Sequence, residues 1–120
     1  MKETDYKDYK YIPIINKKMV CKLPISEILY IEHKNRRTDF FTESGNVYMY
    51  QAMEEISEYL DDNFQSCGKT LILNLSKITS ICDTKVEFLN GSTIFVNRSG
   101  CVRLKQIYAR YLIEHKEKEE

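Results

Sequence analysis

No C-x-x-C pair occurs among the four cysteines Cys21, Cys67, Cys82 and Cys101, and only two histidines, His33 and His115, are present. The spacings that hold zinc are therefore missing, and no metal or cofactor is expected. A signal peptide and any long apolar run are also lacking, which points to a cytoplasmic chain with reduced thiols. The sequons at Asn74, Asn90 and Asn97 are then chemically idle. Cys67 falls in a turn expected to be exposed, where a spectator thiol outweighs a redox role. Net charge is lacking too, with 18 Lys+Arg against 18 Asp+Glu. A basic domain is the usual mark of nucleic-acid binding, so this balance tells against a simple reading of that kind.

Catalytic constellations are equally scarce. An enzyme needs a nucleophile beside a base, or converging titratable groups. Glu32 and His33 are neighbours on an expected strand and so point to opposite faces. Gly68-Lys69-Thr70 has the ending of a phosphate-cradling P-loop, but Asn63 stands where that motif needs glycine. The motif also needs a strand before it and a helix after it, and here that order is reversed. No catalytic residue and no small-molecule substrate is expected.

What the chain does have is enough length for one core and a globular balance. It has 120 residues, 42% of them hydrophobic and 30% charged. Its charges are segregated. Met53 to Asp62 carries Glu54, Glu55, Glu58, Asp61 and Asp62 with no base, while Asn97 to Ile113 carries Arg98, Arg103, Lys105 and Arg110 with no acid. His33 to Arg37 adds Lys34, Arg36 and Arg37. A neutral total built from such blocks can still present a basic face.

Taken in order, residues 1–10 alternate Lys, Asp and Tyr without apolar periodicity and read as a flexible tail. Tyr11 to Ile15 is β-rich but contains Pro13, which suggests an edge strand. Asn16-Lys17-Lys18 is a turn candidate, followed by a strand from Met19 to Leu23. Ile28-Leu29-Tyr30-Ile31 suits a strand buried on both faces, running to Glu32. His33 to Arg37 reads as a hairpin tip, Thr38 to Thr42 as the return strand, and Ser44-Gly45-Asn46 as a turn into Val47 to Tyr50. Met53, Ile56, Tyr59, Leu60 and Phe64 fall on one helical stripe, predicting an amphipathic helix over Ala52 to Phe64. Its acidic face reads as solvated and, because it would repel DNA, is expected to point away from a DNA surface.

A polar turn from Ser66 to Thr70 leads into a strand over Leu71 to Asn74, a bend over Leu75 to Lys77 and a strand over Ile78 to Cys82. Lys85 to Leu89 and Thr93 to Val96 flank Asn90-Gly91-Ser92, a hairpin signal, because Asn and Gly tolerate positive φ. Val102 to Ile113 is a second helix by pattern, with Ser99 as its expected N-cap, and residues 114–120 are a charged tail. No repeat and no β-α-β alternation is evident. The expected fold is mainly β with one or two helices.

Three polar, basic tips stand out: Lys34-Asn35-Arg36-Arg37, Lys69-Thr70 and Asn97-Arg98-Ser99. Any one of them alone reads as ordinary surface charge. Three beside strand ends point to loops carried on a rigid scaffold. Arg suits guanine edges and phosphates, Lys suits phosphates, and Asn suits adenine edges.

The ordered series is more specific. Ile28-Leu29-Tyr30-Ile31-Glu32, a polar loop, Phe41-Thr42-Glu43-Ser44-Gly45 and an amphipathic stretch ending in Leu60 and Phe64 resemble the LytTR family of bacterial DNA-binding domains. So do Leu71-Ile72-Leu73-Asn74, Ile78, Ile81, Val86-Glu87-Phe88-Leu89-Asn90-Gly91 and Val96-Asn97-Arg98 before a final amphipathic segment. The resemblance spans Tyr11 to Leu112. It implies an elongated fold of small stacked antiparallel sheets over residues 11–113. It also implies loops that enter successive major grooves of double-stranded DNA at direct-repeat sites, with some bending. Two copies on repeated half-sites are then expected. Carried over by position, the family's contact places fall near Arg36, on Lys69 and near Arg98 or Ser99, and Asn35 or Arg37 can take the place of Arg36.

Two departures matter. The family usually has a His-Arg or similar pair where this chain has Gly68-Lys69, and a lysine keeps the charge but loses the bidentate fork. The place before Cys67, often basic in the family, is Ser66. Most relatives carry a receiver domain in front, so this chain resembles the stand-alone members, whose control falls to a regulatory partner, oligomerisation or abundance. The competing expectation is a protein-interaction module of the same fold. Its docking surface for a partner or membrane-bound inhibitor would be Tyr6, Tyr9, Tyr11, Tyr48, Tyr50 and the basic terminal helix.

Overall fold

The computed structural model describes residues 9–116. They fall into two compact units, one ending at Asn74 and the other beginning at Leu75. Of the expected tails at residues 1–10 and 114–120, residues 1–8, with Tyr6, and 117–120 lie outside the described residues, and Glu114 ends the terminal helix.

The first unit holds strands β1 (Tyr11–Ile15), β2 (Val20–Pro24), β3 (Ile28–Lys34), β4 (Arg37–Thr42), β5 (Gly45–Met49), β6 (Phe64–Ser66) and β7 (Leu71–Asn74), with helix α1 (Met53–Ser57). β1 and β2 form a two-stranded antiparallel sheet, and the others form a five-stranded one in the order β5-β4-β3-β7-β6. Alternation decides which side is core. Ile12, Ile14 and Leu23 from the small sheet meet Ile31, Phe40, Met49 and Ile72 from the large one, and Ile56 of α1 closes the cluster. Burying a side chain like Ile56 contributes roughly 1.5–3 kcal/mol, which fastens a helix too short to be stable alone.

β3 is not left open on its second face: Ile31 faces the core cluster, and Leu73, which pairs with Tyr30 on the other side, is fully buried. The register of β3 against β4 shifts between Ile28 and Tyr30, a bulge at which Ile28 and Leu29 are both buried. On the other face Tyr30 stacks on Phe41, ring centroids 4.3 Å apart. Burial, and secondarily Glu32, raises the Tyr30 phenol pKa. The Ile28 carbonyl accepts a 2.8 Å hydrogen bond from buried Asn74 Nδ2, so the bulge leaves it satisfied.

The amphipathic stripe is real, but the helix is shorter than Ala52 to Phe64. After Ser57 the chain continues in i→i−3 turns, Tyr59 N–H to Ile56 C=O and Leu60 N–H to Ser57 C=O. These keep Tyr59 and Leu60 against the core much as a helix would. Asp61 then accepts from the Asn63 N–H at 3.0 Å, an Asx turn that competes with helix continuation. Phe64 is drawn into β6, opposite Asn74.

The second unit contains β8 (Ile78–Cys82), β9 (Lys85–Phe88), β10 (Thr93–Phe95) and α2 (Arg98–Glu114). The strands form one antiparallel sheet in the order β10-β9-β8. Cys101, Leu104 and Tyr108 are the buried positions of α2, at helical spacing. The Tyr108 hydroxyl donates to the Ile78 carbonyl at 2.5 Å, and burial raises its pKa. The N-cap of α2 is Asn97 rather than Ser99: Asn97 Oδ1 accepts from the Gly100 N–H at 2.7 Å, and the helix starts four residues earlier than Val102. No helix among the described residues is long and apolar enough to cross a membrane.

Candidate nucleic-acid interface

Ladder pairing extends further up β3 and β4 than polarity alone indicates. Lys34 pairs with Arg37, which leaves Asn35 and Arg36 as a two-residue tip. Their φ values are 55° and 68°, the left-handed pair that a tight type I′ hairpin requires. Asn adopts this region readily. An arginine there carries a cost on the order of 1–2 kcal/mol. The side chain of Arg36 is thus presented from a stiff, strained corner.

The second turn comes to the same end of the same sheet. β3 pairs antiparallel with β7, Glu32 facing Leu71. One residue further along, the His33 N–H donates to the Thr70 carbonyl at 2.9 Å. The turn is closed by the Cys67 N–H on the Leu71 carbonyl and by Gly68 at φ 77°, a conformation that favours glycine. Cys67 is half-buried, whereas Gly68, Lys69 and Thr70 are exposed. The β6–β7 turn that carries Lys69 therefore stands about two strand spacings, roughly 10 Å, from the β3–β4 tip.

His33, which the sequence places in a basic cluster with either a phosphate contact or no role, links the two turns. Its Nδ1 lies 2.8 Å from Thr38 Oγ1, and the Thr38 hydroxyl donates to the Gln51 carbonyl at 2.7 Å. That hydroxyl has one proton, already committed to Gln51. Thr38 can then only accept from His33, which assigns the Nδ1–H form of the ring. Thr38 is fully buried, so the relay is shielded from competing water. The His33–Thr38 register pair was the available signal, but only once the tip was known to be two residues long.

Charge at this end is mostly uncompensated. Lys34 and Arg37 face each other across the ladder, a like-charge pair that is unfavourable in itself. Arg37 is restrained: its guanidinium meets Asp39 at 3.0 Å and lies over the Tyr48 ring, 4.6 Å from the centroid. The hydrogen bond to Asp39 is the main reason its pKa is raised. Arg36 and Lys69 are exposed and have no ion-pair partner among the described residues. Lys34, Asn35, Arg37, Asp39 and Tyr50 line a cleft of about 360 Å³ beside the tip. α1 begins two residues after Gln51, so Glu54 and Glu55 start near this end, whereas Asp61 and Asp62 precede Phe64 at the opposite one.

Asn97, Arg98 and Ser99 belong to the second unit, at the start of α2. Asn97 Oδ1 is occupied by the Gly100 N–H and the Ser99 hydroxyl. Arg98 is exposed with no partner among the described residues.

A family model described as the LytTr DNA-binding domain matches residues 18–109. Among solved structures, a LytTr DNA-binding domain from Bacillus cereus superposes with a TM-score of 0.67 at 19% identity. The match covers 82% of this chain and 95% of that one. No curated protein matches.

Proposed function

The chain belongs to the LytTr DNA-binding domain family, and from that premise we propose that it is a transcription regulator gripping duplex DNA by its basic turns. Arg36 at the β3–β4 tip enters a major groove, and Lys69 anchors a flanking phosphate. Asn97, Arg98 and Ser99 make the corresponding contacts from the second unit, in a neighbouring groove of a direct-repeat site that takes two copies. Lys34, Asn35 and Thr70 supply the surrounding polar contacts, and Arg37 shapes the tip through Asp39.

The observation that carries this reading is the convergence of two exposed, unpaired cations at one sheet end, tied through the His33–Thr70 hydrogen bond. Selection of duplexes from a random pool, followed by anisotropy titrations at several salt concentrations, tests it. Binding should weaken with salt at a slope of about −0.9 per phosphate neutralised. A flat salt response, or no duplex retained at low salt, would sink it. That second outcome would favour the docking role, for which Tyr50, 66% exposed, and the basic face of α2 are the relevant surfaces.

A further inference from the structure

A third basic turn stands at the same end of the first unit. Asn16-Lys17-Lys18-Met19 joins β1 to β2, and it is built by one side chain. Asn16 Oδ1 accepts from the Lys18 N–H at 2.8 Å and the Met19 N–H at 3.0 Å. The same amide then fastens the turn to the large sheet, Nδ2 donating to the Tyr48 carbonyl at 2.7 Å. Tyr48 pairs with Asp39, one step in from the Thr38–Met49 pair, so this anchor lies toward the β3–β4 tip. The other end of the hairpin runs into Glu27, whose carbonyl accepts from the Glu43 N–H in the β4–β5 turn, at the opposite sheet end. These two anchors orient the β1–β2 hairpin with Lys17 and Lys18 toward the end that carries Arg36 and Lys69.

The hairpin's own charge is of one sign. From Tyr9 to Pro24 the chain carries Lys10, Lys17, Lys18 and Lys22 and no acid. Lys17 and Lys18 are exposed, and their side chains have no partner among the described residues. The large sheet carries the β6–β7 turn and the β3–β4 tip, and the β1–β2 turn of the small sheet is fastened to β5, the edge strand on the far side of β4. From β7 to β5 is three strand spacings, about 14 Å. The major groove is about 12 Å wide. A row of this width places its middle in the groove and its ends over the two flanking backbones.

We propose that Lys17 and Lys18 form a further phosphate-binding site, bracketing the groove on the side away from Lys69. The ligand is the phosphodiester backbone, contacted without regard to base sequence. The site rests on the DNA-binding reading above and extends its footprint. The matched family span begins at residue 18, inside this turn, so the site draws on a part of the chain at the edge of that span.

The test uses the full chain, a duplex recovered by random-pool selection, and a Lys17→Ala/Lys18→Ala variant. Losing two phosphate contacts should lower the salt slope by about 1.8 and weaken binding about 30-fold at 0.15 M relative to 1 M salt, equally for selected and scrambled duplexes. Lys17→Arg/Lys18→Arg keeps the charge and should keep the slope, which separates a contact from a folding defect. Ethylation interference should lose phosphates at one edge of the footprint, distinct from those lost in Lys69→Ala. If the wild type binds and the alanine variant keeps its slope, the proposal fails while the DNA-binding reading survives. If the wild type retains no duplex at low salt, both fail together.

Discussion

Replacing Arg36 with glycine should make the protein more stable and a worse DNA binder. Arg36 sits at φ 68°, where its Cβ crowds the following carbonyl oxygen. Removing that carbon recovers about 1–2 kcal/mol. Glycine gives back about 0.5–1 kcal/mol through the freedom it gains in the unfolded chain. The net expectation is a gain of about 0–1.5 kcal/mol, or up to roughly 6 °C in Tm for a chain of this size. Arg36 is exposed and unpaired, so no native contact is lost to offset the gain. In the complex the same change removes the guanidinium from the groove. One bidentate base contact is worth about 1–3 kcal/mol, so affinity should fall about 5- to 150-fold, with relaxed preference at one base pair. Asn35→Gly is the control: asparagine tolerates its φ of 55°, so its Tm gain should be smaller. Thermal unfolding by circular dichroism reads the first effect and anisotropy reads the second. A lower Tm for Arg36→Gly would refute the claim of strain, and unchanged affinity would refute the role assigned to the tip.

Other substitutions probe the remaining parts. Lys69→Glu should weaken binding to every duplex, selected or scrambled, and flatten the salt slope by at least about 0.9 in an anisotropy series. Thr38→Val removes the relay from His33 to the Gln51 carbonyl; it should cost about 1–3 kcal/mol in denaturant unfolding and shift neutral His33 toward the Nε2–H tautomer, seen in long-range nitrogen–proton NMR spectra. Glu54→Gln/Glu55→Gln should strengthen DNA binding at low salt more than Asp61→Asn/Asp62→Asn, because only the first pair starts near the basic end, and the advantage should fade as salt shortens the screening length. Tyr108→Phe tests the second unit. Burial raises the folded-state pKa of Tyr108 above its ordinary 10.0, so the unfolded chain ionises first. The stabilisation is whole below about pH 10 and declines as pH rises above it. The phenylalanine variant should lose about 1 kcal/mol at neutral pH, through the hydrogen bond to Ile78, and less of what remains at alkaline pH.

Local chemistry made some of this legible. Leu71–Asn74 and Ile78–Cys82 have the strand limits that alternation and flanking polar residues imply. The bend at Leu75–Lys77 is a short 3-10 turn. What misled was a pattern that two structures satisfy. Met53, Ile56, Tyr59 and Leu60 meet the core at helical spacing whether the chain is α-helical or in successive i→i−3 turns. β6 was hidden for a related reason, since three residues are too few to show alternation, and Phe64 completed the helical stripe. At the candidate site, basic loops were visible as composition, but their convergence was not. It depends on β3 pairing with β7 across about forty residues of sequence, as in Ile31 with Ile72. Asn16 is the sharpest case. Its turn was readable, whereas its bond to Tyr48, 32 residues away, is a tertiary fact.

The neutral formal charge then ceases to argue against DNA. What steers a polyanion is the local field, which decays over about 8 Å at physiological salt. Asp61 and Asp62 sit beside Phe64, opposite Asn74, while Lys69 and Arg36 lie past Leu71 and Lys34 at the other end of the same sheet. The four residues of β7 alone span about 13 Å at roughly 3.3 Å each, more than one screening length. Charges that cancel in the sum are therefore separated in space by the strands between them. In the hairpin ladder the acids nearest the tip are Asp39 and, opposite it, Glu32, and Asp39 is already engaged by Arg37. Asp39→Asn should accordingly free Arg37 and raise non-specific affinity at low salt. Weaker binding to all duplexes would instead mean that the pair is needed to hold the hairpin in shape.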